Sequence, residues 1–114
     1  MATACKIGIV KENGNVECVI CWRDGHLDTA GETLTRYYGT YEKAAQLIAG
    51  GHIYDLDKTI AKVRYQTPDK RITAEMCKPI NYKTQAAFYR ADHGQEYTYL
   101  FKNGQWIMRD EAEM

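Results

Sequence analysis

The stretch "CKIGIVKENGNVECVICW" carries two short apolar runs on either side of Asn13-Gly14. An Asn-Gly pair accepts the positive φ values of a tight turn, so the runs are expected to form a hairpin. On the second run Val16, Cys18, Ile20 and Trp22 share one face, and Glu17, Val19, Cys21 and Arg23 share the other. Apolar residues on both faces make this strand central in its sheet. The period then changes. "GETLTRYYG" places Leu34, Tyr37 and Tyr38 at i, i+3 and i+4, which predicts a short helix closed by Gly39. "TYEKAAQLIAGG" sets Tyr41, Ala44, Ala45 and Ile48 on one stripe. Thr40 is placed to cap that helix, Glu42 lies in its first turn, and Gly50-Gly51 stops it.

Further along, residues 59–65 are read as a strand, Pro68 and Pro79 as breaks, and "QAAFY" (residues 85–89) as another strand. "EYTYLFKNGQWIMRD" repeats the opening device. Asn103-Gly104 joins a run alternating Tyr97, Tyr99 and Phe101 to one carrying Trp106 and Met108. Residues 109–114, ending in "DEAEM", are expected to be a loose acidic tail. The order ββαα followed by further strands gives one α+β domain over residues 1–114. Its sheet is largely antiparallel and built from hairpins, with two short helices on one face.

Composition narrows the function classes. Fifteen basic and fifteen acidic residues cancel to zero, which argues against backbone-driven nucleic-acid binding and against acidic mimicry. No apolar run approaches the length of a membrane span, and "MATACKIGIV" lacks the pattern of a secretory signal. Four cysteines without such a signal are expected as reduced thiols. Nine tyrosines against two phenylalanines suit a half-exposed sheet or a binding surface.

Candidate chemistry sits in two places. In "CVICWRDGH" the Cys18-x-x-Cys21 spacing invites a metal, but zinc needs both sulfurs on one tight turn. Residues three apart on a strand point to opposite faces, so no metal or other cofactor is expected. Asp24-Gly25 is the turn that ends the strand. His26 is read as a loop histidine, since no nucleophile stands beside it. In "FYRADHGQ", Tyr89, Arg90, Asp92 and His93 are spaced to hold an anion, Arg90 giving bidentate hydrogen bonds. A strand end followed by a solvated turn fits the same residues. There is no phosphate loop, Gly-x-Ser-x-Gly or His-Glu-x-x-His, so no residue is assigned a catalytic role and the chain is not expected to be an enzyme.

The order of motifs resembles a group of small, mostly uncharacterised proteins encoded by bacteriophages and prophages. The matching residues are Ile7–Ile9, Glu12, Gly14, Val16 and Glu17; then Cys21, Asp24 and Gly25; then Gly31, Leu34 and Tyr38. They continue with Glu42, Lys43, Leu47, Ile48 and Gly51; with Tyr89, Arg90, Asp92 and Gly94; and with Tyr97, Tyr99, Leu100, Phe101, Gly104 and Trp106. The likeness covers most of the chain outside residues 55–85. Where the group has His-Trp, this chain has Trp22-Arg23, and a helical insert common before the last hairpin is missing. The resemblance implies a phage origin and a host-cytoplasm setting, and brings no established activity.

A small neutral protein without catalytic motifs acts by binding. The leading expectation is a counter-defence protein that blocks a host immune component. One form sequesters a cyclic nucleotide signal, with Trp22, Arg23, Asp24, His26, Tyr89, Arg90 and His93 as ligand or partner contacts. The other blocks a defence protein, such as a CRISPR effector, through a tyrosine-rich surface. Rival classes are a nucleotide-directed hydrolase using His26, Asp92 and His93, and a phage assembly accessory. A homo-oligomer is expected, since a short chain gains by burying more surface.

Overall fold

Strands β1 (Cys5–Val10) and β2 (Val16–Cys21) pair antiparallel from Val10↔Val16 to Cys5↔Cys21 in a computed structural model that describes residues 3–113. The turn between them is one residue longer than a two-residue Asn-Gly turn. Lys11 N–H donates to Asn15 O at 2.8 Å, and Gly14 N–H to Lys11 O at 2.9 Å. Gly14 alone takes a positive φ there, +86°, so a type I turn is followed by a left-handed glycine. The last hairpin is the tighter one. β6 (Tyr97–Lys102) and β7 (Gln105–Asp110) meet at Asn103 and Gly104, with φ of 52° and 79°.

The two hairpins join through β1 and β6, which run parallel from Cys5↔Tyr97 to Ile9↔Phe101. The sheet order is β4-β3-β2-β1-β6-β7, with β3 Ile53–Asp55 and β4 Arg64–Tyr65. As expected, β2 is central. Its second edge is shared: β5 (Ile80–Tyr82) takes Val16 to Cys18, and β3 takes Cys21. Between them the Ile20 N–H donates to His52 Nδ1 at 2.9 Å. A side chain there replaces a strand carbonyl, and the buried amide stays paired.

Helices α1 (Glu32–Tyr37) and α2 (Tyr41–Ala49) cover one face. Leu34, Tyr38, Ala44, Leu47 and Ile48 pack there on Ile7, Ile9, Val19, Cys21, Tyr99 and Phe101. Thr40 caps α2 by accepting from Lys43 N–H. The α+β class holds, and two further helices, α3 (Ala74–Cys77) and α4 (Gln85–Arg90), complete it. Residues 85–90 are thus helical, correcting the expected strand. Thr84 Oγ1 accepts from Ala87 N–H at 3.0 Å, and the two alanines favour a helix. Phe88 docks α4 on the opposite face, against Val16, Cys18, Ile20 and Leu100. Its ring lies over Gly8, where a Cβ would stand 2.7 Å from it. Lys6, fully buried, donates to Phe88 O and Ala91 O and so closes the helix.

Two more expectations change. Only Arg64–Tyr65 of residues 59–65 is strand, because Ile60–Lys62 turns as a 3₁₀ helix. The segment 109–114 is not a loose tail in its described part. Arg109 and Asp110 belong to β7, and the Glu111 carboxylate bonds Arg109 at 2.8 Å and Thr98 at 3.0 Å. Met1, Ala2 and Met114 lie outside the described residues.

Candidate functional site

The loop that leaves β2 is held at Gly25, His26 and Thr29. Asp24 sits at φ 55°, a left-handed conformation that aspartate tolerates better than most residues. Gly25 passes so close to β1 that a Cβ would stand 2.8 Å from Cys5 Cβ. Its N–H donates to Thr3 O, and its carbonyl accepts from Tyr99 OH at 2.6 Å. Thr29 OH donates to Asp24 O at 2.6 Å. His26 Nε2 pairs with Thr3 Oγ1 at 3.0 Å, and the ring tilts against Tyr97 at 5.7 Å. Arg23 stands 3.9 Å from Asp55, which Arg64 holds more closely at 2.8 Å. Trp22 and Leu27 flank the loop at 37% and 44% exposure.

The Tyr89 group sits elsewhere. The Tyr89 ring lies edge-on to Phe88 at 5.2 Å and under the Arg109 guanidinium at 4.6 Å. Arg109 in turn holds Glu111, whose carboxyl it keeps below the usual range. His93 Nε2 pairs with Tyr82 OH at 2.7 Å, and His93 N–H donates to Gln95 Oε1. Burial, then Lys6, pushes the His93 ring down, against the opposing pull of Asp92. Asp92 accepts from Gly94 N–H, and Arg90 is exposed at the end of α4.

The expected contacts therefore fall on separate surfaces. Tyr97, which supports His26, shares its face with Tyr99, the face of α1 and α2. Tyr89 and His93 lie with α4 on the other. Cys18 and Cys21 are also divided, one in each core. Burial pushes the Cys18 thiol up to about 12, which leaves it without thiolate character near neutrality.

A cleft that the motifs do not announce lies where the end of α1, the start of α2 and residues 58–60 meet. It measures about 220 Å³ and is lined by Tyr37, Tyr38, Lys43, Gln46, Lys58, Thr59 and Ile60. Lys58 Nζ stands 5.8 Å above the Tyr37 ring. Tyr38 OH donates to Asp57 O at 2.7 Å, and its carbonyl accepts from Trp106 Nε1 at 3.0 Å, so this wall is rigid. Burial, with help from Tyr65 and Asp57, pushes the Tyr38 hydroxyl up to about 12. The lining holds two ammonium groups and no carboxylate. The Asp57 carboxylate behind it accepts from the Lys58 backbone N–H at 2.6 Å. Across Tyr37 and Lys58 a second hollow of about 340 Å³ holds Asp28, Glu32 and Arg36.

Tyr37, Lys43 and Lys58 escaped sequence reasoning because they come from three elements and share no spacing. Tyr37 reads as part of a core stripe and Lys43 as a helix surface residue. Charge offers no signal either, since the chain is neutral. No protein-family model, curated protein or solved structure matches this chain.

Proposed function

We propose that this chain, which resembles a group of uncharacterised phage and prophage proteins, is a non-catalytic counter-defence binding protein that takes up an anionic, ring-bearing host signal such as a cyclic nucleotide. The observation that carries the reading is the carboxylate-free cleft of Tyr37, Tyr38, Lys43 and Lys58. In a molecule of zero net charge it concentrates positive charge beside an aromatic face. Lysines neutralise phosphate oxygens, and a tyrosine ring stacks on a base. At about 220 Å³ the cleft is smaller than the ~300–1,000 Å³ typical of ligand pockets. It admits a phosphate and the edge of a base.

Sequestration rather than turnover fits the histidines. His26 and His93 are each held by a hydroxyl, from Thr3 and Tyr82, and the Cys18 thiol is buried. Calorimetry with a panel of cyclic nucleotides, followed by extraction of ligand from purified protein, tests the reading. Binding that falls at least tenfold in Lys43→Glu/Lys58→Glu supports it. No binding across the panel, or nucleotide turnover lost in His26→Ala or His93→Ala, overturns it.

One observation favours a second reading, direct obstruction of a host defence protein. The pinned loop presents Trp22, Arg23 and Leu27 to solvent. Tryptophan and arginine dominate binding hot spots, and a rigid loop loses little entropy on docking. Capture of a host protein by the chain, lost in Trp22→Ala and retained in Lys43→Glu/Lys58→Glu, would place this reading first.

A further inference from the structure

Strand β7 ends the sheet, and no strand among the described residues pairs with its outer edge. The direction of its backbone groups follows from one bond. Glu111 N–H donates to Glu96 O at 3.0 Å, and in an antiparallel pair such bonding repeats at every second residue. Gln105, Ile107 and Arg109 therefore turn their N–H and C=O groups toward β6. Trp106, Met108 and Asp110 turn theirs outward. Natural sheets blunt an edge of this length with lysine, proline or a bulge. The centre of β7, Gln105 to Met108, has none of these, and Ile107 and Met108 are 40% and 39% exposed.

We propose that β7 is the pairing strand of a symmetric homodimer, its free edge joined antiparallel to β7 of a second copy. The chemistry of the strand selects this occupant. Outward groups must meet outward groups, so the two-fold axis passes through a residue, and only an axis at Ile107 or Met108 pairs five of the six residues of β7, where Trp106 or Arg109 would pair three. An axis at Ile107 sets Trp106 opposite the partner's Met108, Ile107 opposite the partner's Ile107, and Gln105 opposite the partner's Arg109. Apolar residues then face apolar residues on both sides of the ribbon, and no like charges oppose each other. An axis at Met108 would set Ile107 against an arginine and Trp106 against an aspartate, so the Ile107 axis is the register. Trp106 and the partner's Met108 exchange two backbone hydrogen bonds, symmetry repeats the exchange, and the sheet continues through both copies. This holds whatever occupies the Lys43–Lys58 cleft.

Sedimentation of the purified chain is expected to give twice the 13.1 kDa chain mass. Ile107→Lys should give the monomer mass with an unchanged circular dichroism spectrum. At the proposed axis the two Ile107 residues form a non-hydrogen-bonded pair, with Cα atoms about 4.5 Å apart, within disulfide range. Ile107→Cys should therefore form a covalent dimer with oxidised glutathione as the electron acceptor, and Gln105→Cys should not. The native thiols are buried and give no background. A monomer at the highest soluble concentration overturns the proposal. So does a dimer that survives Ile107→Lys, or equal cross-linking of both cysteine variants. A monomeric chain whose β7 is protected only by a captured host protein also overturns it, and gives the edge to that protein.

Discussion

Gly8 and Lys6 owe their roles to residues some eighty positions away. The Phe88 ring occupies the space a Cβ would need at Gly8. The Lys6 ammonium supplies the carbonyls that end α4, and burial pushes its pKa down. Gly8→Ala is expected to destabilise the fold by about 1–3 kcal/mol, the usual cost of overfilling a packed site. Urea titration checks it, and an unchanged midpoint would show that Phe88 can move aside. Neither role is legible in "KIG", where Gly8 reads as a weak strand residue and Lys6 as a solvent-facing one. The residues whose roles were legible act within a turn of themselves. Thr40 caps the helix that starts beside it, and Asn103-Gly104 bends the chain on which it lies.

At the scale of elements, long periodic segments were readable and short ones were not. α2 has nine residues, a cap and a stop, whereas α4 has six and buries only Phe88. Five residues such as "QAAFY" fit a strand as well as a helix. The decision is made by Thr84 at one end and Lys6 at the other. Thr84→Ala is expected to cost about 1 kcal/mol and to speed amide exchange in residues 85–90 more than in 41–49. Equal protection of both helices after the substitution would show that the cap does not hold α4. The shared edge of β2 was illegible for another reason: it depends on a histidine bonding across a gap between two strands.

For the whole molecule, the hairpins could be read singly but not their union. Nothing local in residues 5–9 or 97–101 specifies that they pair in parallel. That pairing fixes which residues share a face, so the expected contacts divided between two surfaces. Stability against acid is also a property of the whole. Burial pushes the His52 ring down, as it does that of His93. The unfolded chain then takes up protons near 6.5 before the folded chain does. The contribution is complete above that pH and declines below it. Glu111, held low by Arg109, adds a further loss below its ordinary value of 4.5. Thermal melts are expected to show stability falling from neutral pH to about pH 5. His52→Asn, which keeps an acceptor for Ile20 N–H, should flatten the first part of that fall. A variant that follows the wild-type curve would assign the loss to other groups.

The parallel union of β1 and β6 also orders events in time. β1 lies between β2 and β6, so the middle of the sheet stays incomplete until residues 97–101 have been synthesised. Closing a loop of that separation costs more entropy than any hairpin here, and chains governed by distant pairings fold slowly. A nascent chain that stalls before its final hairpin would leave β1 as an open, apolar margin, exposed to the chaperones and proteases of whatever cell makes it.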